Sequence, residues 1–281
     1  MVRFLLNRNS EQGYSFPMLK KSAAILTLFF INASLNNVKG QGECIVRNTA
    51  FGIGEKITYK VAYNLNSLWL NAGEVSFTVN EGFYNNTPCY HMIGSGSTYR
   101  SYDWFYKVRD TYESYIDMQT LQPLRFIRNV YEGGYTVNQN VVFKHSENKA
   151  VSTHGSYTIP DCIQDVLSAI YYARNIDFAM YRKYDTIPIT LFLDDEVYPV
   201  YIRYLGKETL STRRGKYNCI KFTPLLIEGT IFKGGEKMTV WVTDDNNKIP
   251  VRVESPIIIG SIAAELYKYS GLRSPLTAKV D

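Results

Sequence analysis

The sequence has almost no excess of charge of either sign in its main part, and this excludes one class of partner. The net charge of +5 comes mostly from residues 1–40, which hold five basic residues and one acidic residue. Subtracting these from the totals of 31 basic and 26 acidic residues leaves 26 and 25, a net charge of about +1. A domain this close to neutral offers no basic surface to a phosphate backbone. Nucleic acid is therefore excluded as a partner.

The sequence also lacks the patterns that indicate catalysis or metal binding. It has three histidines, and no C-x-x-C pair places two cysteines together as metal ligands. The Gly-Ser-Gly-Ser run at 94–97 does not have the G-x-S-x-G spacing of a hydrolase nucleophile. The acidic runs at 194–196 and 244–245 fall in turns, where Asp favours local backbone hydrogen bonds and stays solvated. We therefore predict a non-enzymatic protein with no catalytic residue, no metal and no cofactor.

Long apolar runs are absent apart from one short stretch near the start. Residues 23–31 are apolar apart from Thr27 and follow Lys20 and Lys21, but they are too few for the roughly 20 residues that cross a bilayer. Small and polar residues follow as far as Gly42. This pattern is typical of a cleaved secretory signal. We predict an N-terminal extension and signal peptide at 1–40 and a single β-rich exported domain at 41–281.

The exact start of the mature chain stays open, and so does its final compartment. Both Met1 and Met18 are candidate start residues, and cleavage near Gly40 competes with a site at Ala33 and Ser34. No apolar lipobox precedes Cys44, so lipid attachment there is not expected. We expect no transmembrane segment in the mature chain. The periplasm is the first expectation, and an extracellular or cell-surface location is the alternative.

The four cysteines fit an exported protein. An even number of cysteines in such a chain favours disulfides, and four allow three different pairings. Cys162 begins a predicted helix, where the helix dipole favours a thiolate, so a reactive thiol is the alternative for that residue. The disulfide candidates are Cys44, Cys89, Cys162 and Cys219.

The abundant aromatic residues predict strands. The chain has 23 Tyr and 14 Phe, and residues of this kind suit a pleated, half-buried surface. Apolar residues alternate with polar ones in many segments, which is the period of a half-buried strand. Strands are predicted at 57–63, 73–79, 89–94, 111–117, 124–131, 135–144, 150–157, 187–193, 197–205, 216–223, 226–233, 237–243, 249–253 and 258–269.

One segment has the period of a helix instead. Its apolar stripe consists of Ile163, Val166, Leu167, Ile170 and Tyr171, spaced as on one helix face. Asp161 is a candidate N-cap with Gln164 three residues on, so the helix is predicted at about 161–175. The predicted fold is mainly β (α+β). It is a strongly curved antiparallel sheet or half-open β-barrel, with this helix covering the concave face.

Several stretches resemble a family of exported bacterial proteins known as a domain of unknown function. They are Gly-Glu-Lys-Ile-Thr-Tyr at 54–59 with Ala-Gly-Glu at 72–74, Tyr-Lys-Val-Arg-Asp at 106–110 with Glu-Ser at 113–114, and the segment 165–174. The tail, at 240–244 and 249–251, also resembles that family. It equally resembles the lipoprotein-carrier (LolA/LolB-like) superfamily, whose members have a half-open antiparallel barrel closed by helices. The resemblance implies a periplasmic, non-enzymatic domain that holds an apolar group, although the Tyr-rich sequence differs from the mostly apolar concave face of those carriers.

Four charged residues form a candidate polar network. On a strand, Arg109 and Glu113 share one face and Asp110 takes the other. Arg174, at the end of the predicted helix, is placed to pair with one of these acids. We interpret the four as an ion-pair network that joins the helix to the sheet, with a ligand role as the alternative.

Two functional hypotheses follow. The first is a periplasmic carrier for a lipid-like ligand or a lipidated partner, because large aromatic side chains dominate apolar pockets. Its candidate ligand-binding residues are Trp69, Trp104, Phe105, Trp241 and Tyr171. The second is a cell-envelope interaction module that binds glycan or protein through an aromatic surface. An envelope hydrolase is the least favoured class, since no catalytic constellation is recognisable.

Overall fold

The alternating segments pair into one long sheet. The computed structural model describes residues 44, 46–65, 68–227, 234–257 and 260–280. The predicted signal peptide and N-terminal extension lie outside these residues. The strands are β1 (Lys56–Leu65), β2 (Leu68–Tyr84), β3 (Thr87–Thr98), β4 (Arg109–Asp117), β5 (Pro123–Glu132), β6 (Tyr135–Lys144), β7 (Lys149–Val151), β8 (Ser156–Thr158), β9 (Ile163–Gln164), β10 (Thr186–Leu193), β11 (Glu196–Thr212), β12 (Gly215–Pro224), β13 (Thr239–Thr243), β14 (Pro250–Pro256) and β15 (Ser261–Ser270). The α-helix among them is α1 (Val166–Ala173).

The order of the strands follows the chain almost throughout. The sheet runs β8-β7-β6-β5-β4-β3-β2-β1-β15-β14-β13-β12-β11-β10-β9, and each neighbouring pair is antiparallel except β9 with β10. Hairpin turns account for this meander. Asn85 and Asn86 both have positive φ, as a two-residue turn requires, and Gly133 and Gly134 do the same between β5 and β6.

The sheet curls until its two ends touch through side chains. Phe143 of β6 packs edge-on against Phe192 of β10 with 5.9 Å between ring centroids, and Tyr157 of β8 lies 5.8 Å from the same ring. These rings belong to one buried cluster that also contains Phe126 of β5 and Ile163 of β9. The predicted mainly β fold, a curved antiparallel sheet with one helix, is confirmed.

The helix is shorter than predicted and begins later. Cys162 has a φ of +60°, which is outside the helical region, and Ile163 and Gln164 pair with β10 as the short strand β9. The helix begins only after Asp165, which is the N-cap, and Arg174 is the C-cap. The predicted range of 161–175 and the predicted cap at Asp161 are therefore wrong, because pairing with β10 takes the first residues of the apolar stripe.

Two other strand predictions differ from the structure. The strand predicted at 150–157 is a hairpin of β7 and β8, because Ser152 donates its backbone N–H to the carbonyl of Gly155 and turns the chain. In the segment predicted at 226–233, Leu226 forms an isolated bridge with Gly235, and residues 228–233 lie outside the described part of the chain.

The N-cap fixes α1 to the sheet. One Asp165 carboxylate oxygen accepts the backbone N–H groups of Leu167 and Ser168 at 2.8 and 2.7 Å, and the other accepts the hydroxyl of Ser114 on β4 at 2.6 Å. The Ser168 hydroxyl accepts the backbone N–H of Asp165 at 2.8 Å and completes a capping box. The cap therefore positions the helix on the inner face of β4.

This buried cap predicts a pH dependence of stability. Burial raises the pKa of Asp165 to about 6, and the hydrogen bonds from Ser114 and the helix N–H groups oppose the shift. The pKa of Asp165 in the unfolded chain is lower, about 3.9. Between about pH 4 and pH 6 the folded protein therefore binds more protons than the unfolded chain. Because of this, the unfolding free energy falls as the pH rises through this range. We expect Asp165→Asn to remove this fall, which is about 3 kcal/mol at most. Urea unfolding at several pH values measures it.

The neighbouring Asp161 supplies the control for this experiment. Its side chain is exposed and takes no part in the cap. Asp161→Asn makes the same chemical change outside the cap, so its stability curve should run parallel to that of the wild type. Parallel curves for Asp165→Asn and the wild type would contradict the prediction.

Candidate functional site

A row of small polar side chains crosses five neighbouring strands on the face opposite α1. Ser76 lies opposite Ser95, Ser95 opposite Thr111, Thr111 opposite Asn129, and Asn129 opposite Asn138. Directly opposed residues have Cβ atoms about 5 Å apart, so each side chain reaches its neighbours. The Ser76 and Ser95 hydroxyls are 2.9 Å apart. We call this row the polar ladder.

The polar ladder forms the floor of an open groove of about 550 Å³. A second row of side chains, Glu74, Ser97, Arg109, Tyr131 and Thr136, lines the same groove. The ladder contributes hydroxyl and amide groups, which both donate and accept hydrogen bonds. The groove therefore suits a ligand that carries many hydroxyl groups.

Ion pairs hold the charged side chains at the groove in place. Arg109 donates to Asp103 at 2.7 Å and to the backbone carbonyls of Thr98 and Val108. Lys60 donates to Glu74 at 2.7 Å. Both ion pairs hold a charged side chain in one position beside the polar ladder. Each of these side chains has an oppositely charged partner.

Asp110 follows Arg109 on β4, but its side chain is on the face opposite to Arg109 and Thr111. Burial raises the pKa of Asp110 to about 6, the backbone N–H of Tyr131 opposes the rise, and the charge of Glu132 adds to it. The protonation state of Asp110 therefore changes within a mildly acidic range.

The loop between β3 and β4 borders the groove and carries exposed aromatic rings. Tyr106 packs on Gly133, where a Cβ atom would lie 2.3 Å from the ring, so the turn between β5 and β6 requires glycine. Trp104 and Phe105 are 85% and 62% exposed, and their ring centroids are 5.9 Å apart.

The structure does not bring the five predicted ligand-binding aromatics together. Trp69, Trp104 and Phe105 are exposed, at the start of β2 and in the loop after β3. Tyr171 and Trp241 are buried, but they belong to different core clusters. Trp241 instead donates its indole N–H to Glu208 at 2.6 Å.

Side chains fill the space beneath the helix where the sequence predicted a cavity. Leu167 and Tyr171 are each 2% exposed and pack against Phe51, Val79 and Met92. The rings of Phe51 and Tyr171 are 4.9 Å apart. A second pocket beside the helix has a volume of about 160 Å³, which is small against the roughly 300 Å³ at which ligand sites begin.

The four residues of the predicted polar network have separate partners. Arg109 pairs with Asp103, Asp110 accepts the backbone N–H of Tyr131, and Glu113 lies 2.8 Å from His91. The predicted pairing of Arg174 with one of the acids of β4 is wrong. Arg174 reaches Glu55 instead, because the end of α1 packs against the segment before β1.

Arg174 and Glu55 form a buried hub between distant parts of the chain. Two guanidinium nitrogens of Arg174 donate to the two carboxylate oxygens of Glu55 at 2.6 and 2.8 Å. The same guanidinium donates to the carbonyls of Asn247 and Ala50. Burial raises the pKa of Tyr171 beside it, although the charge of Arg174 opposes the rise. The hub fixes the helix, the segment before β1 and the turn after β13 in one position.

Sequence reasoning missed a polar seam where the two ends of the sheet meet. Asp194 and Asp195 form the turn between β10 and β11, both with positive φ. Asp194 accepts from Arg128 of β5, and Asp195 accepts from Gln139 of β6 at 3.1 Å and lies 2.7 Å from a ring nitrogen of His154. The interpretation of the acidic run at 194–196 as solvated turn residues is wrong for Asp195, whose side chain is 15% exposed, whereas Asp194 is 58% exposed. The signal in the sequence was two aspartates where a tight turn favours Asn-Gly.

Burial and hydrogen bonding act in opposite directions at the seam. Burial alone would raise the pKa of Asp195, but hydrogen bonds from Ser152 and His154 hold the pKa below its usual value. Asp195 therefore stays ionised and ties the β7–β8 hairpin to the opposite end of the sheet.

The predicted disulfide is confirmed for one pair of cysteines. Cys44 and Cys162 are bonded, which excludes a reactive thiol at Cys162. Cys89 and Cys219 are buried free thiols, so these two disulfide candidates are wrong. They lie within β3 and β12, which are far apart in the sheet. Burial raises the pKa of Cys219 to about 12, which makes this thiol unreactive. A disulfide fits an exported protein.

Metal-ligand clusters and membrane-spanning helices are both absent from the described part of the chain. Within those residues, no three His, Cys, Asp or Glu side chains lie together as a metal site. None of the helices in the same ranges has the length and apolar character that crossing a bilayer requires.

Comparisons with known proteins give a family and a fold. A family model described as "Protein of unknown function (DUF3108)" matches residues 58–267. The crystal structure of a beta-barrel-like protein of domain of unknown function DUF1849 from Brucella abortus is 11% identical, with a TM-score of 0.52, and the match covers 79% of this chain and 99% of that chain. A protein from Parabacteroides distasonis ATCC 8503, described as a candidate lipoprotein, is 12% identical with a TM-score of 0.34. The match covers 80% of this chain and 99% of that chain. No curated protein matches the chain. The first structure shares the fold, and no function follows from it.

Proposed function

This chain belongs to the DUF3108 family of unknown function, and we propose that it is a non-enzymatic binding module of the periplasm that holds an extended glycan in its outer groove. The observation that carries the proposal is the polar ladder. Five hydroxyl and amide side chains lie in register across five strands and floor a groove of about 550 Å³.

The dimensions and chemistry of the groove support a sugar polymer. Five strands about 4.8 Å apart give the ladder a length of about 19 Å, which is enough for several linked sugar rings. Sugar hydroxyls both donate and accept hydrogen bonds, and so do the groups of the ladder. Tyr131 adds a half-exposed ring at the side of the groove, on which the apolar face of a sugar can stack.

The alternative of an apolar-ligand carrier has less support. Its five candidate aromatics do not line a shared cavity, and Leu167 and Tyr171 occupy the space between helix and sheet. The resemblance to the lipoprotein-carrier superfamily stays a prediction from the sequence, and this filled interior does not favour an apolar ligand.

The test is binding to an array of bacterial envelope glycans, including peptidoglycan fragments. We expect the double variant Thr111→Val with Asn129→Ala to weaken binding of any bound glycan about 10- to 100-fold, because each lost hydrogen bond contributes about 1 kcal/mol. Titration calorimetry with the best-bound oligosaccharide measures the affinity. Unchanged sugar after incubation with the protein would agree with a non-enzymatic role.

The other half of the sheet offers a matched control. Thr209 and Asn218 are also directly opposed on neighbouring strands, and their side chains are 3.0 Å apart, but they lie outside the groove. Thr209→Val with Asn218→Ala should leave glycan affinity unchanged. An array without any bound glycan, or equal loss in both double variants, would refute the proposal.

A further inference from the structure

The loop between β3 and β4 exposes two large aromatic side chains that the protein does not cover. Trp104 is 85% exposed and Phe105 is 62% exposed. Exposed rings of this size are costly in water unless another surface covers them. They do not line the groove above the polar ladder, so the glycan site does not account for them.

The loop is held in shape although its tip is exposed. Asp103 accepts from the hydroxyl of Thr98 at 2.9 Å and from Arg109 at 2.7 Å. Backbone hydrogen bonds join Phe105 and Tyr106 to the carbonyl of Tyr102. The loop therefore presents its rings outward in a fixed conformation.

Further exposed aromatic residues lie at the same edge of the sheet, where edge means the row of strand ends and not an outermost strand. β2 begins, β3 ends and β6 begins at this edge, because these strands are antiparallel neighbours in one meander. Trp69 at the start of β2 is 45% exposed, and Tyr135 at the start of β6 is 50% exposed. The edge thus carries rings from three separate segments.

The loop carries two exposed basic side chains, and the nearby acid Glu132 lies at the end of β5, close to Tyr106. Arg100 and Lys107 of the loop are both exposed. The acid of the loop, Asp103, is already paired with Arg109. Positive charges in the same loop as Trp and Phe complement an anionic lipid headgroup, and aromatic rings favour the interface between headgroups and acyl chains.

We propose that this aromatic edge, defined by Trp69, Trp104 and Phe105 with Arg100 and Lys107, docks on the surface of an anionic lipid bilayer. The rings enter the interface and the two basic side chains contact the headgroups. The protein lies on the membrane without crossing it. Trp104 and Phe105 do not line the glycan groove, so their substitution tests docking separately from glycan binding.

Co-sedimentation with vesicles tests the proposal. The probe is vesicles of phosphatidylethanolamine and phosphatidylglycerol, and the protein is purified after export and processing, so that no signal peptide contributes. We expect Trp104→Ala with Phe105→Ala to weaken vesicle binding at least 10-fold. Arg100→Ala with Lys107→Ala should weaken it several-fold at low salt, and pure phosphatidylcholine vesicles should bind the wild type less tightly.

Phe83 provides the matched control, because it has the same exposure as Phe105, 62%, and lies near the turn between β2 and β3 at the opposite edge. Phe83→Ala should bind vesicles like the wild type. Lipids brominated in the acyl chain should quench tryptophan fluorescence in the wild type and in Phe83→Ala, and less in Trp104→Phe. Thermal unfolding checks that every variant is folded.

Each of the following outcomes would overturn the proposal. The wild type does not sediment with anionic vesicles, or the Trp104 and Phe105 variant sediments as well as the wild type, or Phe83→Ala loses as much binding. Loss of a protein partner in the Trp104 and Phe105 variant without any vesicle binding would assign the edge to protein instead, and would equally overturn it.

Discussion

Arg174→Ala is expected to lower the unfolding free energy by about 3–5 kcal/mol, because it leaves the carboxylate of Glu55 buried without its partner. Arg174 is 3% exposed and Glu55 is fully buried at the side chain. The variant also removes donors from the carbonyls of Asn247 and Ala50. Urea unfolding at neutral pH measures the change.

An exposed ion pair supplies the control for this prediction. Lys144 and Glu147 are 3.4 Å apart with about half of each side chain exposed. Lys144→Ala should cost less than about 0.5 kcal/mol, since exposed pairs contribute little. The double variant Arg174→Met with Glu55→Gln should recover part of the loss, because it removes both buried charges. A cost below about 1 kcal/mol for Arg174→Ala would show that the hub does not hold the fold together.

Removing the Cys44–Cys162 disulfide is expected to cost about 2–5 kcal/mol. The bond joins residues 118 positions apart, so it restricts a large part of the unfolded chain. It also ties the N-terminal segment to the start of the helix region. Unfolding of Cys44→Ser with Cys162→Ser, compared with the wild type, measures this contribution.

Reduction gives an independent control. Dithiothreitol should lower the stability of the wild type to that of the double serine variant and leave the variant unchanged. The denatured wild type should show two free thiols without reductant, Cys89 and Cys219, and four with it. Four free thiols in the untreated protein, or no loss of stability on reduction, would contradict the prediction.

Most of the long strands were predictable because each carries its own period-two pattern. Ile57 and Tyr59 are buried on one face of β1, as their spacing indicates. The helix boundary was not predictable from its apolar stripe. Ile163 fits the stripe equally well, but pairing with Thr190 of β10 decides its conformation, and that partner is remote in sequence.

The site was less predictable than the fold, for reasons of register and distance. Ser76, Thr111 and Asn129 are unremarkable one by one, and only the pairing of five strands aligns them. The hub joins Glu55 to Arg174 across 119 positions. No local pattern in either segment indicates that these two residues pair. Residue types can be read from the chain directly, whereas their neighbours depend on the pairing of remote strands.

The place of β1 in the sheet has a consequence for how the chain assembles. β1 pairs on one side with β2, which follows at once, and on the other side with β15, near the end of the chain. If the chain leaves the cytoplasm N-terminus first, β1 to β8 can pair in sequence while the other edge of β1 stays open. Open strand edges invite pairing with other chains. β1 is therefore the first strand to emerge but among the last to be paired on both sides. A chain that stops before residue 261 lacks β15, so β1–β8 and β9–β14 form two meanders with no hydrogen-bonded strand pair between them.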